Sequence, residues 1–184
     1  MEASALIPTE LRHWIKKGYV KGNIHTYSKI RHQNELSKRM GKIGYKILGE
    51  GSYSGVFEHP VVKDKVIKVT LSTKDGYHRY IEWVLMMVKI LSPKYRKHLP
   101  KIYHTETIKN CRITVLERLS MNTPGDSSVI VEEFLEYNAL VEILNKAGRQ
   151  LNLNNDFQTG GNILYRRRTP VISDPWSHKV SSEP

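Results

Sequence analysis

Apolar and polar positions change rhythm several times along the chain, and each change marks an element. Ile43-Gly44-Tyr45-Lys46-Ile47-Leu48 alternates as a strand does. A glycine-rich turn follows over residues 49–55, and Val56-Phe57-Glu58 reads as the return strand of a hairpin. Val66-Ile67-Lys68-Val69 is a third run, rich in β-branched residues. Residues 75–91 switch to helical spacing, with Tyr77, Tyr80, Ile81, Val84, Leu85, Val88 and Leu91 on one stripe. Strands are expected at 101–105 and 112–119, joined by a turn at Ile108-Lys109-Asn110. A second amphipathic helix is expected over 128–147, stopped by Gly148. A loop over 153–162 then leads to two short strands, 163–165 and 171–173, around a turn at Arg166-Arg167-Arg168-Thr169. Strands and helices in segregated groups predict an α+β fold rather than a doubly wound parallel sheet.

Upstream of residue 43 the apolar positions thin out. Leu11, Trp14 and Ile15 have the spacing of a short amphipathic helix, with Thr9 as its N-cap and its end near Gly18. Residues 29–40 can form a second, basic helix. Residues 1–40 are too poor in apolar side chains for a core of their own, so this arm is expected to dock on the body or on an acidic partner.

Charge sharpens that division. The formal net charge is +11 over 184 residues. Residues 1–48 hold ten Lys/Arg against three Asp/Glu, a net of +7, while the other 136 hold nineteen against fifteen, a net of +4. A basic arm preceding a nearly balanced body suits an acidic protein, a nucleic acid or an anionic surface, or simply a solvated face. No recognised nucleic-acid motif is present. No apolar run is long enough for a membrane span, and the first residues lack the pattern of a secretory signal. Cys111 is the only cysteine, which excludes an internal disulfide and points to the cytoplasm.

Three features carry chemistry. Gly49-Glu50-Gly51 lies between two strands, which excludes the dinucleotide fingerprint and the P-loop, both of which need a following helix. A hairpin over a nucleotide needs residues without side chains, so that backbone amides can approach phosphate. Lys68 sits among β-branched residues in the next strand and would need an anionic partner if buried. Phosphates, or the carboxylate of Glu82 on the following helix, could serve. Asp156, Asn162 and Asp174 lie after the second long helix and around the small hairpin. Their oxygens suit magnesium, which takes one or two carboxylates plus substrate phosphates.

Gly49-Glu50-Gly51-Ser52-Tyr53-Ser54-Gly55-Val56, Val66-Ile67-Lys68 and Asp156 through Asn162 to Asp174 together resemble the protein kinase superfamily. Gly51-Ser52-Tyr53-Ser54, His59-Pro60, Gly161-Asn162-Ile163 and Val171-Ile172-Ser173-Asp174-Pro175 are similar to the early serine/threonine protein kinases of podophages. The resemblance implies a minimal kinase-like fold over 43–178, a strand-rich N-lobe with one helix and a truncated C-lobe, between a basic extension at 1–42 and a flexible tail at 179–184. It implies ATP and Mg2+ as cofactors, with Gly49, Gly51, Ser54, Val56, Lys68, Glu82 and Glu117 on the nucleotide. Asn162 and Asp174 would hold the metal, with Asp156 and Lys68 catalytic. It implies a protein of the bacterial host cytoplasm that phosphorylates host proteins and contributes to host takeover. Asp156 and Asn162 are six residues apart, where the family pattern has five. A catalytically inactive kinase-like protein that binds and inhibits a host factor therefore stands as the alternative, and a basic nucleic-acid-binding module as a third reading.

Overall fold

The computed structural model describes residues 2–20, 26–51, 54–71, 76–121, 131–155 and 162–178. It resolves into two compact units, Met1–His78 with Lys101–Arg118, and Arg79–Pro100 with Leu119–Pro184.

The first unit is built on a five-stranded antiparallel sheet. Its strands are β1 (Lys46–Glu50), β2 (Ser54–Glu58), β3 (Lys65–Thr70), β4 (Ile102–Ile108) and β5 (Cys111–Glu117), in the order β1-β2-β3-β5-β4. Side chains alternate across a strand, and here the alternation sorts two chemistries. Phe57, Ile67, Val69, Ile113 and Val115 share one core with Leu11 and Ile15 of α1 (Thr9–Lys17) and with Leu36 and Met40 of α2 (Thr26–Lys42). Leu6 and Ile7, before α1, join the same core. The arm thus supplies the apolar layer over one face of the sheet. At about 25 cal/mol per Å2 of apolar surface, removing that layer would expose these core residues at a cost of several kcal/mol.

Both arm helices end on a left-handed glycine. Gly18 has φ +79°, and the Tyr19 N–H reaches back to the Trp14 carbonyl at 2.9 Å. Gly44 has φ +86°, and the Tyr45 N–H reaches the Met40 carbonyl at 3.0 Å. Only glycine takes this conformation without steric cost. Ile43-Gly44 is therefore the end of a helix, and the first strand begins at Lys46 rather than Ile43. Thr9 is the first helical residue of α1 and the N-cap is Pro8, which has no N–H to leave unsatisfied. Strands β4 and β5 meet through a two-residue turn in which Lys109 has φ +53°. Its ammonium donates to the Lys16 carbonyl at the end of α1, at 2.6 Å.

The second unit contains most of α3 (Gly76–Met87), with α4 (Pro93–Arg96), α5 (Val131–Gln150), and two small sheets. β6 (Leu153–Asn155) pairs with β9 (Trp176–His178), and β7 (Ile163–Arg166) pairs with β8 (Thr169–Ile172). Strand β6 falls where a loop was expected, and β9 on residues to which no element was assigned. Three-residue strands are too short to show a period. Helix α5 runs through Gly148 to Gln150, and Asn152, with φ +56°, follows it in the left-handed region. One glycine in a helix interior costs about 1 kcal/mol, which a packed helix absorbs. Among the described residues, no helix is long and apolar enough to cross a membrane.

Candidate active-site residues

In the first unit, the β1–β2 hairpin closes through the Gly51 N–H, which donates to the Ser54 carbonyl at 2.8 Å. Ser54 is buried, and residues 52 and 53 at the tip lie outside the described residues. The glycines of this hairpin differ in origin. A Cβ on Gly55 would lie 2.8 Å from the Phe57 ring, so Gly55 is required by packing. A Cβ on Gly49 would meet nothing within 4 Å, and on Gly51 it would touch only the Ser54 hydroxyl, at 3.5 Å. Neither has a positive φ, so neither the local backbone nor its packing demands glycine there.

Val56, Lys68 and Thr114 stand in one cross-strand row. They lie on the sheet face opposite the aliphatic core. Lys68 is 8% exposed, and its ammonium lies 3.4 Å from the centre of the Tyr77 ring. A desolvated cation over an aromatic face gains about 2 kcal/mol, so the tyrosine face helps offset the burial of this charge. Sequence reading supplied phosphate or Glu82 as its partner and missed Tyr77. The available signal was an aromatic residue opening the next helix. On the same face, the Arg112 guanidinium donates to the His78 carbonyl at 3.0 Å.

Glu117 ends β5 and is buried. Its carboxylate accepts from the Lys101 N–H at 2.8 Å, and its own N–H donates to the Lys101 carbonyl at 3.1 Å. The Arg118 N–H donates to the Asp64 carbonyl at 2.9 Å. The Glu117 and Arg118 amides are thus engaged by carbonyls of the residues that precede β4 and β3. Nearby, Lys63 hydrogen-bonds Glu58 and, with Arg118, holds its carboxyl below the usual range.

In the second unit, the β7–β8 hairpin determines which residues meet. Ile163 pairs with Ile172, and the Ser173 N–H donates to the Asn162 carbonyl at 2.8 Å. Asn162 and Asp174 therefore emerge from the same end of adjacent strands, both half-buried. An amide oxygen and a carboxylate are both hard donors, of the kind that suits magnesium completing its shell with phosphate and water. Asp156 lies outside the described residues, as does Gly160-Gly161. Glu82 is exposed on α3, and the Arg79 guanidinium lies 3.4 Å from its carboxylate.

Asp174 is anchored from its C-terminal side. Trp176, 2% exposed, donates its indole N–H to the Leu144 carbonyl of α5 at 3.2 Å. Its ring meets Tyr80 and Trp83 of α3 edge-on, at 5.8 and 6.0 Å between centres. Asp174-Pro175-Trp176 departs from the Asp-Phe-Gly pattern of kinases, and it places an aromatic anchor two residues after the carboxylate.

One solved structure similar to this chain is the BubR1 kinase domain, at 10% identity and a TM-score of 0.40. The match covers 73% of this chain and 47% of that one, so the chain corresponds to about half that chain's length. No curated protein matches. The family model described as bacteriophage T7 protein kinase 0.7 matches residues 6–164, a stretch that takes in both arm helices, the whole sheet and Asn162. By that match, the chain belongs to the bacteriophage T7 protein kinase 0.7 family.

Proposed function

We propose that the chain is an ATP-dependent serine/threonine protein kinase that acts on proteins of the bacterial host, in the host cytoplasm, and so contributes to host takeover. The single observation that supports the catalytic part is the β7–β8 hairpin, whose register sets Asn162 opposite Ser173, the residue before Asp174. The row Val56–Lys68 and the unfilled space at Gly49 support nucleotide binding in the other unit.

In this reading Gly49, Gly51 and Ser54 cover the phosphates and Lys68 contacts the α- and β-phosphates. Asn162 and Asp174 hold Mg2+, which neutralises charge on the transferring phosphoryl group when bound. Asp156 orients the substrate hydroxyl and accepts its proton. The hydroxyl oxygen bonds to the γ-phosphorus, the bond from that phosphorus to the β–γ bridging oxygen breaks, and ADP leaves with that oxygen. The basic arm, with its surplus over residues 1–48, attracts an acidic segment of the target.

Transfer of label from γ-labelled ATP to host-lysate proteins tests this. Wild type should label serine or threonine, and Asp174→Asn should abolish labelling. Lys68→Met should lose most of the rise in melting temperature that MgATP gives wild type. Nucleotide binding without transfer would leave the non-catalytic binder as the reading, and absence of both would end the kinase reading.

A further inference from the structure

We propose that Tyr80, His98 and Arg166 are positioning residues for the Asn162–Asp174 pair, an inference that rests on the metal-holding role given to that pair above. The β7–β8 hairpin has only four residues in each strand, and a hairpin of that size is marginal alone. What fixes it is a set of hydrogen bonds to backbone carbonyls and amides. Arg166, four residues after Asn162, donates from its two terminal nitrogens to the Lys97 carbonyl at 2.7 Å and the Leu99 carbonyl at 2.9 Å. Between those carbonyls His98, fully buried, places Nδ1 at 2.8 Å from the Pro170 carbonyl. A carbonyl only accepts, so Nδ1 carries the proton. The Ile172 N–H donates to the His98 carbonyl at 3.0 Å, and the Ile172 carbonyl accepts the Tyr80 hydroxyl at 2.5 Å.

The backbone of Ile172, two residues before Asp174, is thus held on both sides, by α3 through Tyr80 and by the segment after α4 through His98. Proline at 170 removes a backbone donor from β8, and the imidazole takes up the carbonyl that remains. Segment 97–99 is itself tied to α5, where the Lys97 ammonium pairs with Glu136 at 2.8 Å. Two oxygen ligands bind one cation well only while their separation is fixed, because magnesium demands near-ideal octahedral geometry. Holding groups orient ligands in this way without touching the ion.

The test is Mg2+ dependence of ATP binding, by titrating MgCl2 at fixed ATP, for wild type, Tyr80→Phe, Arg166→Lys and Arg166→Ala. Tyr80→Phe removes one hydroxyl and keeps the ring, so the variant should fold. Its half-saturating Mg2+ concentration should rise about three- to tenfold, with binding of metal-free ATP unchanged. Arg166→Ala should shift further, and Arg166→Lys, which keeps one donor, should recover part of the loss. A merely structural role would lower the melting temperature and leave the Mg2+ dependence alone. Folded variants with the wild-type Mg2+ dependence overturn this inference while the kinase reading stands. A wild type whose ATP binding ignores Mg2+ overturns both.

Discussion

Each of the two units buries apolar side chains, but they differ in what fixes the segments singled out above. In the first, aliphatic side chains at every second strand position meet apolar stripes of α1 and α2. In the second, the β7–β8 hairpin is fixed through backbone groups, by Tyr80, His98 and Arg166, and Trp176 is pinned by one indole N–H and two edge-on aromatic contacts. Burial is non-directional and tolerates conservative exchange. A hydrogen bond to a specified carbonyl is directional, and its loss moves whatever that carbonyl positions. The aliphatic unit should answer substitutions mainly through stability. The hydrogen-bonded one should answer them through the geometry of Asn162 and Asp174.

Phe57→Ala should break the first unit most severely. Loss of a buried phenyl costs about 3–5 kcal/mol, measured as a lowered denaturation midpoint. Cys111 supplies a local reporter, since it is buried and its thiol pKa is pushed up to about 11 by burial. A thiol reagent at neutral pH should modify Cys111 slowly in wild type and many times faster in Phe57→Ala.

Gly55→Ala and Gly49→Ala separate packing from binding within one hairpin. The first should destabilise by about 1–3 kcal/mol, because its Cβ meets the Phe57 ring. The second should stay within about 0.5 kcal/mol of wild type and weaken ATP binding. Equal stability for the two would show that the ring moves aside.

Trp176→Phe keeps an aromatic ring and removes the donor to Leu144. The expected stability cost is about 1 kcal/mol, with a disproportionate loss of phosphate transfer measured at saturating ATP. Stability and transfer falling in proportion would erase the contrast between the units.

The smallest effect concerns acid. A hydrogen bond from Lys97 is the main influence holding the Glu136 carboxyl below its ordinary 4.5. A depressed carboxyl contributes stability that is complete above its unfolded value and is lost as pH falls through the folded one. Wild type should therefore lose stability below about pH 4.5 more steeply than Glu136→Gln, as melting temperatures across pH 3–6 would show.

Sequence pattern gave access to the two units unequally, for the same physical reason. α3 was readable because burial of one face imposes a helical period, β3 because a β-branched run suits a strand buried almost throughout, and the β7–β8 hairpin because two short apolar runs flank its turn. The clamp at Tyr80, His98 and Arg166 was not readable. Each of these side chains acts on a backbone group, which every residue has, so no complementary letter appears elsewhere in the chain. The β6–β9 sheet was missed for want of length. The start of β1 was misplaced because Gly44, which ends a helix, can also be read as part of an alternating strand.

Lys109 shows how one residue can tie two elements into a single inherited character. Its backbone sits where glycine or asparagine is cheapest, yet its ammonium donates to the Lys16 carbonyl near the end of α1. Replacing it with glycine relaxes the turn and removes the donor to the Lys16 carbonyl, two changes of opposite sign. Drift at this site is therefore conditional on the arm. Relatives that keep α1 should keep a long donor in the β4–β5 turn, and lineages that shed α1 become free to adopt glycine there. Covariation between these two places, far apart in the chain, would record which lineages rely on the arm as a layer of the fold.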